Sequence, residues 1–192
     1  KYNTETLFSA LDDALSNAKV ETDFKQGDVE KALATSEQEF NVDYKVPFLA
    51  HATMEPMNCT AHYHDDHLEL WTGTQDLLSA RAFAAEISGL DIEQVTAHPV
   101  QLGGGFGRRL PSTGNYIEDA VRVAMQVNYP VKLIWSREED IQHDYYRPAI
   151  QSRFRAALNS EGQPEIWDNI YTDIGISDDT SAATHRYSIP HQ

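Results

Sequence analysis

Apolar residues recur at helical spacing near the start of the chain. Leu7, Leu11, Ala14 and Leu15 share one face, and Asn3 or Thr4 supplies an N-cap, so residues 1–20 read as an amphipathic helix. A short second helix opens at Asp28 and runs through Val29, Ala32 and Leu33. From Glu37 the period drops to two. Phe40, Val42, Tyr44 and Val46 alternate with polar residues, the pattern of a half-buried strand, and Pro47 ends it. Residues 59–63 and 67–72 are two further strands, joined by a tight turn at His64-Asp65-Asp66.

The helical period returns over residues 76–88, where Ala80, Phe83, Ala84 and Ile87 form a stripe and Gly89 stands at the C-terminal cap. Residues 92–101 follow as a strand. Ile117, Ala120, Val121, Ala124 and Val127 then mark another helix, closed by Pro130, and residues 131–135 form a short apolar strand. The charged run Ser136-Arg137-Glu138-Glu139-Asp140 reads as a strand end leading into a loop. Residues 149–157 and 165–172 make a last hairpin across Asn159-Ser160-Glu161-Gly162. Helices and strands are interleaved, which predicts an α+β fold, a two-layer mixed sheet with helices on one face.

Composition narrows the function classes. In 192 residues, 15 Lys+Arg stand against 30 Asp+Glu, a formal charge of −15 that argues against nucleic acid or an anionic membrane surface as partner. No apolar run approaches the ~20 residues a membrane span requires. The single cysteine, Cys59, rules out an intrachain disulfide and reads as a packed small residue.

Four of the ten glycines fall together in Gly103-Gly104-Gly105-Phe106-Gly107, followed by Arg108-Arg109, between a strand and a helix. Such a run lets the backbone take positive φ and approach a ligand closely, and its successive N–H groups form a concave anion site. Two arginines add forked donors for phosphate or carboxylate. The P-loop pattern is absent, and the dinucleotide fingerprint fails because Arg108 occupies the place of its last glycine.

This loop resembles the first cofactor loop of the xanthine dehydrogenase/aldehyde oxidase family of molybdenum hydroxylases, above all the beta subunits of isoquinoline 1-oxidoreductase-like enzymes. Four more segments agree in order. They are Pro47-Phe48-Leu49-Ala50-His51-Ala52-Thr53-Met54-Glu55-Pro56, Leu70-Trp71-Thr72-Gly73-Thr74-Gln75, the stretch from Pro130 through Trp135 to Asp140, and Tyr146-Arg147-Pro148. The resemblance as a whole extends over roughly residues 27–175. The resemblance implies a partial molybdopterin-cofactor-binding domain over residues 27–192, preceded by an N-terminal helical segment over residues 1–26.

The family hydroxylates N-heteroaromatic rings or oxidises aldehydes with water as the oxygen source, and its electrons leave through iron–sulfur clusters. The implied cofactor is molybdenum held by molybdopterin, in bacteria usually as the cytosine dinucleotide, with few direct protein ligands. By position, the Gln75 amide would donate to an oxo ligand of the metal. The N–H groups of Phe106 and Gly107 would do similar work, and the Phe106 ring would wall the substrate cavity. Gly104 and Gly105 complete the cradle, and Arg108 and Arg109 would meet pterin or phosphate groups. Glu55 would anchor the loop from below. The family's catalytic base, a glutamate in a Gly-Glu context, has no match here, so none of these residues is expected to be catalytic. The chain reads as a fragment of a larger subunit, inactive alone. Its expected partners are the rest of that subunit, a small iron–sulfur subunit and a small heteroaromatic or aldehyde substrate. The resemblance favours the periplasm over the cytoplasm.

Two other classes compete. One is a non-catalytic binding or assembly module that reuses the fold. The other is a metal-binding hairpin built on His62-Tyr63-His64-Asp65-Asp66-His67, where His62 and His64 point to one face and His67 returns across the turn. A polar hairpin tip is the commoner meaning of such a segment, and no resident metal is assigned to these histidines.

Overall fold

The computed structural model describes residues 3–36, 38–173 and 189–192. In chain order the elements are α1 (Thr4–Asn17), α2 (Val29–Leu33), β1 (Glu39–Val46), β2 (Asn58–His64), β3 (His67–Thr72), α3 (Leu77–Ser88), β4 (Val95–Pro99), α4 (Asn115–Ala124), β5 (Val131–Ile134), α5 (Arg137–Gln142), β6 (Ile150–Leu158) and β7 (Pro164–Asp173). The chain divides into two compact units, one made of residues 1–49 and 148–192, the other of residues 50–147. Helices and sheets are mixed as expected, on two open sheets.

The first unit is a three-stranded antiparallel sheet in the order β1-β6-β7. Asn3 caps α1, its side chain accepting the Thr6 N–H at 2.8 Å, and α1 buries Leu11 and Leu15 against β6 and β7. Asp28 caps α2 in the same way, through the Lys31 N–H at 3.1 Å. The alternation in β1 is present, but the strand is not half-buried: Phe40, Val42, Tyr44 and Val46 are 41–57% exposed. Lys45 reaches Asp12 on α1 at 2.7 Å, so the polar side of β1 faces the helix and its apolar side faces away. That apolar side meets Phe154 of β6, whose ring packs edge-on against Tyr44. Hydrophobic period two thus identified a strand correctly and its covered face wrongly.

The second unit is a four-stranded mixed sheet, β4-β3-β2-β5, parallel only between β3 and β4. The β2–β3 hairpin closes through Asp65 and Asp66 at φ 46° and 56°, the left-handed pair that a two-residue type I′ turn requires. Asp76 caps α3 through the Ser79 N–H at 3.0 Å, and Gly89 ends it at φ 73°. Both α3 and α4 pack on one sheet face. The core joins Met57, Cys59, Ala61, Leu68 and Leu70 from the sheet side to Ala80, Ala84, Ile117, Ala120, Val121 and Ala124 from the helices. Alanines at these contacts let the helices sit close to the strands and to each other.

Two expected boundaries change here. Residues 92–101 do not form one strand: Ile92–Gln94 make a 3-10 turn, with Gln94 Oε1 accepting the Asp91 N–H at 3.0 Å, and only Val95–Pro99 pair with β3. The charged run after β5 is the short helix α5, capped by Ser136 through the Glu139 N–H at 3.1 Å. A serine followed by acids is an N-terminal helix signal, and it outweighs the strand that precedes it.

Candidate cofactor-presenting site

The site forms where the chain leaves β3 and where it passes from β4 to α4. Gly73 must lack a side chain, since a Cβ there would lie 2.9 Å from the Leu102 Cβ. The two segments then bond to each other: the Gln75 N–H donates to Arg109 O at 3.0 Å, and the Thr74 hydroxyl to the same oxygen at 2.9 Å. This junction brings Gln75 against the glycine loop, 32 positions later in the chain.

Gln75 is held by its carbonyl. Its Oε1 accepts the Gly107 N–H at 2.9 Å and the Arg109 N–H at 3.3 Å. Because both partners are backbone donors, the amide can face only one way, and Nε2 is left as a free hydrogen-bond donor on an exposed residue. Gly105 passes directly beneath, where a Cβ would lie 2.6 Å from Oε1. The loop itself is left-handed at three of four consecutive residues, Gly104 (φ 109°), Phe106 (φ 55°) and Gly107 (φ 97°). Positive φ at a phenylalanine is costly and uncommon. It holds the Phe106 ring outward, 66% exposed, against Gly104, where a Cβ would lie 3.1 Å from the ring.

Below the loop lies a buried clamp. Arg109 is fully buried and spends its guanidinium on four carbonyls: Nε on Gly104 O (3.0 Å), Nη1 on Gly73 O (3.3 Å), and Nη2 on Glu55 O (2.8 Å) and Pro56 O (3.2 Å). Its Nη2 also pairs with the Glu55 carboxylate at 3.2 Å. The same oxygen, Glu55 Oε2, holds the loop's start by accepting the Gly103 N–H at 2.7 Å, while Asn58 donates to Oε1 at 2.8 Å. Burial by itself would raise the Glu55 pKa. The Gly103 and Asn58 hydrogen bonds and the Arg109 charge outweigh it and hold the carboxyl below its ordinary range.

Arg108 is buried the other way. It donates to Thr113 O and to Asn115 Oδ1, and it pairs with Asp144 Oδ1 at 2.8 Å, a contact not aligned as a hydrogen bond. The Trp135 and Tyr145 rings lie 5.6 and 5.3 Å from the guanidinium carbon. Asp144 also accepts from the backbone N–H of His51 and contacts His51 Nδ1 at 3.0 Å, closing a His51–Asp144–Arg108 network.

Two sequence expectations are corrected here. The Arg108 and Arg109 side chains do not point into an open phosphate cradle, because both are turned inward, 1% and 0% exposed, and bonded to the chain itself. The Gly107 N–H is not free for a ligand, because Gln75 accepts it. Glu55 does lie under the loop as expected. Sequence reasoning missed the His51–Asp144–Arg108 network. The sequence carries no clear signal for it, because the partners His51 and Asp144 lie 57 and 36 positions from Arg108. In the histidine hairpin, His62 and His64 share a face, but the third potential ligand is Glu69; His67 Nδ1 instead contacts Asp65 O at 3.0 Å.

A rigid glycine loop, a clamped glutamine with an outward donor and an exposed aromatic on strained backbone define a ligand-presenting domain rather than a plain turn. The family profile of the molybdopterin cofactor-binding domain matches residues 11–191, and the chain belongs to that family. It is 37% identical over 113 residues to the beta subunit of isoquinoline 1-oxidoreductase of Brevundimonas diminuta, covering 58% of this chain and 14% of that protein. It is 25% identical over 170 residues to the xanthine dehydrogenase of Emericella nidulans, covering 87% of this chain and 12% of that protein. The chain therefore spans only a small part of the length of these relatives. Among solved structures, the aldehyde oxidoreductase of Desulfovibrio gigas matches with a TM-score of 0.62 at 18% identity, over 78% of this chain and 17% of that one. The Cu,Mo-CO dehydrogenase matches with a TM-score of 0.61 at 20% identity, over 77% and 19%. These two likenesses establish the fold. The resemblance to molybdenum hydroxylases read from the sequence holds. Among the described residues no helix is long and apolar enough to cross a membrane.

Proposed function

We propose that this chain supplies one wall of the cofactor site in a molybdenum hydroxylase that acts on N-heteroaromatic rings or aldehydes. The observation that carries this reading is the clamped amide of Gln75. Its carbonyl is held by two loop N–H groups, which leaves Nε2 as an oriented donor clamped to the loop that carries the exposed Phe106. These residues fit such a group. Gln75 is exposed with Nε2 uncommitted, and a Cβ at Gly107 would project into free space, so a ligand can approach this end of the loop. When bound, the molybdenum–pterin group supplies two-electron oxidation of a substrate carbon.

The chain's own residues do the placing. Gln75 Nε2 donates to the bound group, and the Phe106 N–H offers a second donor. The Phe106 ring excludes water and bounds the substrate. Arg108, Arg109 and Glu55 hold this surface rigid from beneath, so no reorganisation is needed when charge develops above it. The cytosine dinucleotide form, a small iron–sulfur partner subunit, a base glutamate elsewhere in the larger subunit and a periplasmic setting belong to the same proposal. So does inactivity of this 192-residue chain on its own.

The test is to express the complete subunit with its partner in a cofactor-competent host and measure molybdenum, pterin and turnover. Molybdenum and pterin are expected at one per subunit. Gln75→Leu is expected to lower turnover by ~10²-fold, the usual cost of losing one aimed donor. A complete subunit without molybdenum would overturn the proposal in favour of a binding module. Full activity in the isolated chain would overturn its inactivity alone.

A further inference from the structure

A second cluster lies on the outer face of the four-stranded sheet, away from α3 and α4. Residues of β2 alternate sides. Cys59 and Ala61 enter the core, so His62 and His64 stand on the same outward-facing row. Glu69 of β3 is the direct cross-strand neighbour of His62. One ligand atom from each of His62, His64 and Glu69 lies within 4.8 Å of the other two. The His62 and His64 rings are 4.4 Å apart between centroids, and His64 Nε2 is 3.6 Å from Glu69 Oε2.

This is more than a polar hairpin tip. His62 has no hydrogen-bond partner among the described residues, so its lone pair is uncommitted. The remaining carboxylate oxygen, Glu69 Oε1, faces His98 Nε2 of β4 at 3.4 Å. The His98 ring is in turn fixed by stacking on Trp71 at 4.8 Å and 11°. An outer partner that orients a carboxylate is the usual support of a metal ligand. The three donors are carried on paired strands rather than a loose loop, so little freedom is lost when they converge. Donor atoms around a four-coordinate zinc sit about 3.3 Å apart at bond lengths near 2.0–2.1 Å, so closing this set requires side-chain shifts below about 1 Å. The chain's charge of −15 raises the local concentration of any divalent cation.

We propose that His62, His64 and Glu69 bind one divalent first-row transition metal of the zinc class, with His98 as the positioning residue for Glu69. Two imidazoles and one carboxylate suit zinc, copper or nickel and select against calcium and magnesium, which take oxygen ligands. This site is separate from the cofactor loop and does not depend on the molybdenum reading. Three protein ligands leave at least one coordination position open on the solvent side.

The test is equilibrium dialysis of the untagged 192-residue chain against zinc chloride, read by metal analysis, with a thermal melt on the same samples. The wild-type chain is expected to bind one zinc and to melt at higher temperature with zinc present. His62→Ala and Glu69→Gln should weaken binding by more than about tenfold, and His98→Ala by a smaller factor. His67→Ala and His143→Ala should leave it unchanged. His143 is an informative control because it also pairs with a glutamate, Glu139, at 3.1 Å on α5. Calcium should not compete. Absence of zinc binding in the wild-type chain, or equal binding in a His62→Ala/His64→Ala double variant that keeps its fold by circular dichroism, overturns the proposal.

Discussion

The carbonyl of Gln75 accepts the Gly107 N–H at 2.9 Å, and that bond decides which end of the amide remains available. A glutamine free to rotate would offer donor and acceptor equally. Clamped to two loop N–H groups it offers only a donor. Gln75→Ala is expected to free those N–H groups and to speed hydrogen exchange at Gly107 and Arg109, with a stability loss of about 1 kcal/mol. Gln75→Glu keeps the acceptor and should leave exchange at both amides near wild type.

Gly105 is constrained by space rather than by its backbone angle. A Cβ would sit 2.6 Å from Gln75 Oε1, closer than side chains ever approach. Gly105→Ala should therefore push the Gln75 side chain out of place, at a cost of about 1–3 kcal/mol. In a backbone-assigned spectrum the Gly107 amide resonance should move further than those of the distant α1. An unmoved Gly107 resonance would show that the clamp is not made.

Phe106 is expected to behave in the opposite sense. Its φ of 55° is unfavourable for a bulky side chain, and its ring is mostly exposed. Phe106→Gly should hold or raise stability in urea unfolding by up to about 1 kcal/mol, because the relief of strain offsets the small loss of packing.

Arg109 has the largest structural task in the site. Replacing it by methionine removes the donors to four carbonyls and leaves the Glu55 carboxylate without its cation. The expected cost is about 3–5 kcal/mol, with Arg109→Lys only partly restoring it, since a point charge cannot serve carbonyls in so many directions.

Glu55 links the clamp to pH. Its folded-state pKa lies below that of the unfolded chain. The stability it contributes is therefore fully present above the unfolded value, near ~4.3, and is lost as pH falls through the folded value. Chemical denaturation at pH 7 and at successive acid steps should show a decline in stability that Glu55→Gln makes shallower. Cys59 behaves otherwise: burial pushes its thiol up to about 12, so it should resist thiol reagents in the native chain and react only on unfolding.

Much of the fold was legible along the chain. The α1 and α3 caps, the β2–β3 turn and the β6–β7 hairpin each depend on residues a few positions apart, where capping and turn chemistry act. The left-handed backbone of the glycine loop was legible too, because glycines in series permit positive φ. The exposure of β1 was not, since alternation cannot say which face a helix will cover. Nor was the orientation of Arg108 and Arg109. A charged pair beside glycines looks solvated until Asp144 reaches Arg108, and the carbonyls of Gly73, Glu55 and Pro56 reach Arg109, from 36 to 54 positions away.

By itself the sequence determined most element types, the acidic character, the family and the segments that meet at the site. Only the tertiary structure decided what those residues do there. It made Arg109 a strut, Gln75 a one-way donor and Glu69 the third member of the histidine cluster. The physical reason is the same in each case. A hydrogen bond or ion pair has a direction and a short range, and direction exists only once distant segments have been packed against one another.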